Sequence, residues 1–355
     1  MSFLLLDTQD VAWFRDDLTG ARRAAGRLAE RIGLGEYRAG EVVLAVSEAV
    51  TNLAVHAVAG TILLRTVRTA QHTGIEFLAV DSGPGMADVA ASMRDGHSTA
   101  GTLGIGLGTI ARLADAFDMH SILGQGTVML ARFWPLDVRS VLADEGDGLP
   151  QLVVEGVTRP ISGARECGDG WAVRLDDTGT PASSGAGQGR AVLVMLCDGL
   201  GHGPLAEMAS RAAIHAFRAG PGRSPEEVMG EIHRRLADIR GAAVAVARIE
   251  PDRARVLFCG VGEIAAAIVT PTSKAGLPIL PGIAGHRMRT LRTSTHPLPA
   301  GSAVVLHSDG LSGRWNPATL PGVLEHSPAV IAGHLLRSAG KHHDDASVVV
   351  AKGPW

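Results

Sequence analysis

Only three cysteines occur among 355 residues, no sustained run of lysine or arginine is present, and no apolar run approaches membrane-spanning length. Cys167, Cys197 and Cys259 are odd in number and lack a C-x-x-C spacing, which argues against a disulfide framework and fits a reducing cytoplasm. They lie in or beside apolar segments and read as small buried hydrophobes; Cys167 and Cys197 also stand close to acidic residues, where a thiolate ligand is the alternative. A net charge of −3 without a basic cluster gives no electrostatic footprint for nucleic acid or for an anionic membrane. The opening Met-Ser-Phe-Leu-Leu-Leu is too short for a signal peptide and lacks its basic flank, and a bilayer span needs about 20 apolar residues. The expected partner is therefore protein or nucleotide, with no nucleic acid and no membrane, and the oligomeric state stays open.

What is present suits globular cores: 46% apolar and 19% charged residues, in a chain long enough for about two domains. Periodicity places helices over 19–32, with Thr19 as N-cap, and over 39–58. Strands follow over 61–67 and 75–80, then a helix from near Gly106, then strands over 119–123 and 127–133 around the Gly124-Gln-Gly126 turn. Between Pro135 and Pro150 the apolar periodicity lapses and acidic residues gather with Gly146 and Gly148, as in a solvated connection. Beyond it strands are expected over 151–157, 171–175, 191–197, 242–249, 256–259, 303–307 and 347–351, with helices over 204–219 and 224–239.

The first chemical signal is a pair. Glu48 and Asn52 are i and i+4 on the second helix, so a carboxylate and an amide oxygen share one face, opposite an apolar stripe that includes Val42, Val46, Ala49 and Leu53. Alone, this is either a polar helix face or a pair able to activate a hydroxyl and complete a Mg²⁺ shell. Asp81 closes an apolar strand and is followed by Ser-Gly83-Pro-Gly85, where the backbone can pass close to a flat ligand and a carboxylate can accept the exocyclic amino hydrogens of adenine. Gly101 to Gly108 then runs glycine-rich into a helix, whose free N–H groups favour an anion such as a triphosphate. In this order the three elements resemble the GHKL ATPase superfamily, and within it the small serine kinases of the anti-sigma and stressosome-switch type. The resemblance covers roughly residues 8–134. It implies Glu48 as catalytic base, Asn52 as Mg²⁺ ligand, Asp81 as adenine contact, Gly83, Gly85, Gly104, Gly106 and Gly108 as the ATP cradle, and Thr127 beside the adenine.

The second signal is a series of acidic residues at strand ends. The apolar run 191–197 delivers Asp198, the run 303–307 delivers Ser308-Asp309-Gly310, and Asp344-Asp345 precedes another strand. Carboxylates gathered this way repel unless cations neutralise them, and oxygen ligands without a zinc-type His/Cys cluster point to Mg²⁺ or Mn²⁺. With Gly168-Asp169 and Asp198-Gly-Leu-Gly-His202-Gly203, the series resembles the metal-dependent PPM phosphatases, closest their SpoIIE-like branch, over about residues 151–353. The resemblance implies Asp169, Asp198, Asp309 and Asp344 as ligands of two Mn²⁺ or Mg²⁺ ions, with the Gly199 carbonyl as a backbone ligand and Asp345 outside the set. His202 is read either as proton donor to the leaving oxygen or as a brace for the glycine turn. Gly262-Glu263 departs from the small polar amide expected there.

The expected fold is α+β: an N-terminal GHKL (Bergerat) α/β sandwich over 1–135, a linker over 136–150, and a C-terminal PPM-type αββα sandwich over 151–355. The implied activities oppose each other, an ATP-dependent serine/threonine kinase and a two-metal phosphoserine/phosphothreonine phosphatase. The implied partner is a STAS-type anti-sigma antagonist or stressosome protein. The alternative is an ATP-sensing or partner-sequestering module that gates the phosphatase.

Overall fold

The structure, a computed structural model, describes residues 7–15, 17–69, 71–93, 106–138, 152–162, 164, 166–176, 191–288 and 290–355. They divide into two compact units, one of residues up to 149 together with 320–337, the other of 150–319 together with 338–355. Most of the expected linker, 139–150, lies outside the described residues. No described helix is long and apolar enough to cross a membrane.

In the first unit, β1 (Asp7–Phe14), β2 (Thr61–Arg68), β3 (Thr73–Val80), β4 (Ala116–Ile122) and β5 (Gly126–Phe133) form an antiparallel sheet in the order β1-β2-β3-β5-β4. β1 was not expected from periodicity. Helices α1 (Leu18–Arg31) and α2 (Glu36–His56) pack on one face, with a short α3 (Val89–Ser92) and α4 (Gly106–Leu113) beside them. The N-cap of α1 is Asp17 rather than Thr19: the Asp17 carboxylate accepts from the Gly20 N–H at 2.9 Å, and Thr19 donates to Asp17 instead. A carboxylate beside the free N–H groups of a first turn is the better cap. Alternation decides which strand residues meet the helices. Ile62, Leu64, Ile75, Phe77, Met129 and Phe133 bury against Ala21, Ala25, Val42 and Ala49, whose small side chains let both helices approach.

The opposite face carries a rung of charge. Arg65, Glu76 and Arg132 stand side by side across β2, β3 and β5, and Glu76 accepts from both arginines. Burial pushes the Glu76 carboxyl up, but Arg132 and Arg65 outweigh it and hold it below its ordinary range. The same face receives residues 320–337, which belong to this unit although some 190 residues separate them from β5. Within them α7 (Pro328–Ala339), unforeseen in the sequence, is buried from Pro328 through Leu336. Asp118 takes the Ser327 N–H at 2.6 Å and His326 Nδ1 at 2.7 Å, and a β-carbon on Gly333 would stand 2.8 Å from Val128.

The second unit holds two five-stranded antiparallel sheets. One contains β7 (Asp169–Asp176), β8 (Ala191–Gly199), β9 (Ala242–Glu250), β10 (Arg255–Val261) and β13 (Ser294–Pro297); the other contains β6 (Val153–Arg159), β11 (Ile264–Val269), β12 (Lys274–Gly276), β14 (Ala303–Ser308) and β15 (Ala346–Lys352). The sheets pack face to face, and α5 (Pro204–Ala219) and α6 (Pro225–Leu236) cover the first. A capping box between Ser224 and Glu227 starts α6. The core under the helices includes Leu193, Met195, Val244, Val246, Phe217 and Ile232, together with Cys197 and Cys259. Both cysteines are free and buried, which agrees with their reading as small hydrophobes, and burial pushes the Cys259 thiol up to about 11.

Candidate functional site

In the first unit, α2 presents Glu48 and Asn52, both half-buried, toward the start of α4. A β-carbon on Gly106 would lie 2.8 Å from Glu48 Oε2 and 3.5 Å from the Asn52 amide, so the chain passes here at a distance that only glycine permits without moving the carboxylate. The Asn52 Nδ2 is buried and makes no hydrogen bond among the described residues. A buried amide without a hydrogen bond calls for a partner, and a bound ligand is one that would supply it.

Asp81 sits at the end of β3, half-buried. Its backbone pairs with Thr127, N–H to carbonyl at 3.0 Å and the reverse at 3.3 Å, and its Oδ1 accepts the Gly83 N–H at 2.6 Å. Burial raises the Asp81 carboxyl above its ordinary value, partly offset by the Gly83 and Thr127 N–H groups and by Arg337. Gly126, at φ +103°, brings the β4–β5 turn so close that an added β-carbon would meet the Asp81 carbonyl at 2.1 Å. Gly85 lies against the Ile122 carbonyl in the same way, and Thr127 Oγ1 bonds Ser121 Oγ at 2.9 Å. Glu48, Asn52, Asp81, Gly83, Gly85, Gly106, Gly108 and Thr127 thus fall in one unit, arranged around the α2–α4 junction and the β3–β5 strand ends. Gly104 lies outside the described residues.

In the second unit the sheets deliver their carboxylates to one end. Asp169 opens β7 and is paired in register with Asp198 near the end of β8; Asp309 follows β14, and Asp344 and Asp345 precede β15. The Asp198 carboxyl is pushed up to about 7 by burial and then by Asp309, Asp344 and Asp345. Burial and Asp198 hold Asp169 well above the carboxylate range, while burial and Asp344 raise Asp309. Such mutual pressure is what bound cations relieve, and an all-oxygen set suits Mg²⁺ or Mn²⁺. No three acidic, His or Cys side chains among the described residues converge tightly enough to share one ion. The fit therefore rests on donor type and mutual charge.

The two aspartates of the last pair do different work. Asp345 is buried with its oxygens on the Ile161 N–H at 2.6 Å and the Gly168 N–H at 2.8 Å, which leaves Asp344 as the half-buried acid. Gly199 stands where a β-carbon would meet the Ala206 carbonyl at 2.3 Å, so glycine is required for α5 to start at this strand end. His202 is exposed in the turn before α5, and His342 and His343 are exposed as well. Cys167 is surrounded by acids: burial, then Asp169 and Asp345, raise its thiol well above the ordinary range, which disfavours the thiolate needed for a ligand. Glu263 bonds Asp309 and raises it further, adding a carboxylate where a small amide was expected.

Sequence reasoning gave Ser308 no role, yet its hydroxyl donates to Asp169 at 2.5 Å and accepts from the Ser347 N–H at 2.9 Å. It also missed Arg337, whose guanidinium donates to the Gln125 carbonyl next to Asp81 and Thr127. No local signal could have shown this, because the partners lie 212 residues apart.

Residues 15–133 match the histidine kinase-like ATPase domain family, and residues 188–354 match the stage II sporulation protein E (SpoIIE) family. The serine/threonine-protein kinase RsbT of Bacillus subtilis (strain 168) is 35% identical over 118 residues, 33% of this chain and 89% of that protein. The phosphoserine phosphatase RsbX of the same organism is 22% identical over 147 residues, 41% of this chain and 68% of that protein. The crystal structure of RsbX in complex with magnesium superposes with a TM-score of 0.48 at 19% identity, covering 58% of this chain and 96% of that one.

Proposed function

This chain belongs to the histidine kinase-like ATPase family through residues 15–133 and carries a SpoIIE-type phosphatase domain behind them, and on that premise we propose that it is a bifunctional cytoplasmic regulator. It phosphorylates a STAS-type anti-sigma antagonist or stressosome protein on serine or threonine with ATP, and removes the phosphate at a separate metal site. Glu48 takes the proton of the accepting hydroxyl, Asn52 holds Mg²⁺, Asp81 and Thr127 receive the adenine, and Gly83, Gly85, Gly104, Gly106 and Gly108 let the backbone close on the triphosphate. Asp169, Asp198, Asp309 and Asp344, with the Gly199 carbonyl, hold two Mg²⁺ or Mn²⁺ ions. When bound, such ions would supply an activated water and stabilise the charge that develops on the phosphoryl oxygens. His202, exposed on its turn, is assigned as proton donor to the leaving oxygen, the alternative being a brace for the glycine turn.

The observation that carries this reading is that each set is assembled inside its own unit: Gly106 against Glu48 and Asn52 in one, four strand-end aspartates under mutual charge pressure in the other. The experiment supplies γ-labelled ATP, Mg²⁺ and a STAS-domain protein to Asp309→Ala protein and to Asp309→Ala, Glu48→Ala protein. With dephosphorylation disabled, label that depends on Glu48 supports the reading; its absence, with ATP still bound, removes the kinase half.

One observation favours a second reading, a nucleotide-gated phosphatase. Residues 320–337 lie in the chain between Asp309 and Asp344, yet they belong to the nucleotide unit. Under this reading, saturating ADP at fixed free Mn²⁺ changes the rate of p-nitrophenyl phosphate hydrolysis even in Glu48→Ala protein.

A further inference from the structure

The adenine end of the nucleotide site is supported from outside its own domain sequence. Gln125 lies in the tight β4–β5 turn, between Gly124 and Gly126, and the next residue, Thr127, is the backbone partner of Asp81. Arg337, near the C-terminal end of α7, places one guanidinium nitrogen on the Gln125 carbonyl. Its charge also reaches Asp81, the acid expected to accept the adenine amino group.

A second guanidinium nitrogen, Nη2, meets His334, which is itself bonded to His120, while Arg337 Nε is buried without a hydrogen bond among the described residues; the geometry settles the tautomers of both histidines. His120 Nε2 faces the Pro321 carbonyl at 3.0 Å, so that nitrogen carries the hydrogen and His120 Nδ1 must accept. His334 Nε2 lies 3.1 Å from His120 Nδ1 and 3.2 Å from the His120 carbonyl, so it is the donor, and His334 Nδ1 accepts from Arg337 Nη2 at 3.3 Å. The chain of bonds runs in one direction, from Arg337 through His334 and His120 to Pro321, and it orients the guanidinium without any acid on the relay. The guanidinium thus has one terminal nitrogen on the turn and the other on this relay.

We propose that Arg337 is a positioning residue of the nucleotide site, holding the Gln125–Thr127 turn against the Asp81 strand end where an adenine base would lie. The inference rests on the nucleotide-binding reading of the first unit. It assigns the function to a residue far beyond the part of the chain that matches the ATPase family. Arg337 need not touch the nucleotide, and its effect falls on binding rather than on the transfer step.

The test titrates Mg·ADP into the full-length protein by calorimetry at pH 8, for the unaltered chain, Arg337→Gln and Arg337→Lys, with thermal unfolding as the control for folding. Arg337→Gln is expected to weaken ADP binding about tenfold at an unchanged unfolding midpoint. Arg337→Lys, which keeps a donor for the Gln125 carbonyl but not the fork, is expected to recover part of that loss. A loss of ADP affinity that only tracks a lowered unfolding midpoint, with no recovery by lysine, would show a merely structural role and overturn the proposal. Equal ADP affinity in Arg337→Gln and the unaltered chain would also overturn the proposal while leaving the nucleotide-binding reading intact. Failure of the unaltered chain to bind ADP at all would overturn both.

Discussion

Ser308 at the end of β14 donates its hydroxyl hydrogen to Asp169 at the start of β7, Oγ to Oδ2 at 2.5 Å, and so ties the two sheets of the second unit together at the carboxylate end. The same oxygen accepts the Ser347 N–H at 2.9 Å. Both residues are buried, so neither bond has water as a substitute.

Ser308→Ala should therefore cost about 1–3 kcal/mol of stability, the penalty for an orphaned buried N–H together with a carboxylate that has lost a donor. Urea unfolding of unaltered and variant protein in EDTA reads the difference. Hydrolysis of p-nitrophenyl phosphate with Mn²⁺ should also fall, by about tenfold, because Asp169 would no longer be held in place. Identical unfolding midpoints would show that the bond is not maintained in solution.

The raised carboxylates fix the sign of a pH effect. A carboxyl whose folded pKa lies above its unfolded value binds more protons in the folded state, so metal-free protein should lose stability as pH rises from the ordinary carboxylate range to about 7, the value reached by Asp198. Cations must displace those protons. The apparent Mn²⁺ affinity should accordingly rise between pH 6 and pH 8, by up to about tenfold per unit for each proton released. Titration of Mn²⁺ at several pH values, followed by calorimetry in two buffers of different ionisation enthalpy, counts the protons directly; no proton release would refute the assignment of these acids to a cation site.

Gly106→Ala separates folding from chemistry in the first unit. Alanine is better than glycine within a helix by up to about 1 kcal/mol, so α4 itself should not be weakened. The new methyl would nevertheless meet Glu48 Oε2 at 2.8 Å and push the carboxylate aside. Under the proposed kinase reading, phosphotransfer is expected to drop at least tenfold at an undiminished unfolding midpoint. Undisturbed transfer would mean that Glu48 has room to act from another position.

Acidification should loosen residues 320–337. Burial, then His120 and Arg337, lower His334 to about 3, and burial, then His326, lower His120. A histidine with a depressed folded pKa binds fewer protons folded than unfolded between about 3 and 6.5, so its contribution is complete above about 6.5 and is lost as pH falls. At pH 5 the loss is on the order of 1–2 kcal/mol for His334. Asp118, drawn down to about 2 against its burial by His326 and Ser327, holds its bonds throughout that range. Hydrogen exchange at pH 7 and pH 5, corrected for intrinsic rates, should show protection of α7 falling at the lower pH while that of α2 persists. Equal loss in both helices would indicate general unfolding instead.

The legible parts of this chain were those in which neighbours in sequence are neighbours in space. Glu48 and Asn52 share a helix face by the 3.6-residue period, Asp81 and Asp198 end strands whose apolar runs are plain, and the boundaries of α5 match expectation at both ends. β1 was missed because a mixed polar strand at a sheet edge carries little apolar signal, and α7 because its buried residues surround the helix, leaving no amphipathic period to read. Thr19 lost the cap to Asp17, two residues earlier, because the Asp17 carboxylate takes the Gly20 N–H and the Thr19 hydroxyl donates to it instead.

The sequence by itself determined the two motif sets, glycines at a helix start and acids at strand ends, which are the local patterns that triphosphate binding and hard-cation binding call for. Only the tertiary structure decided which groups hold those residues in place. Ser308 reaches Asp169 across 139 residues and Arg337 reaches Gln125 across 212. Such contacts depend on how sheets and helices stack, and stacking is fixed by the shape and burial of many side chains together rather than by any spacing along the chain.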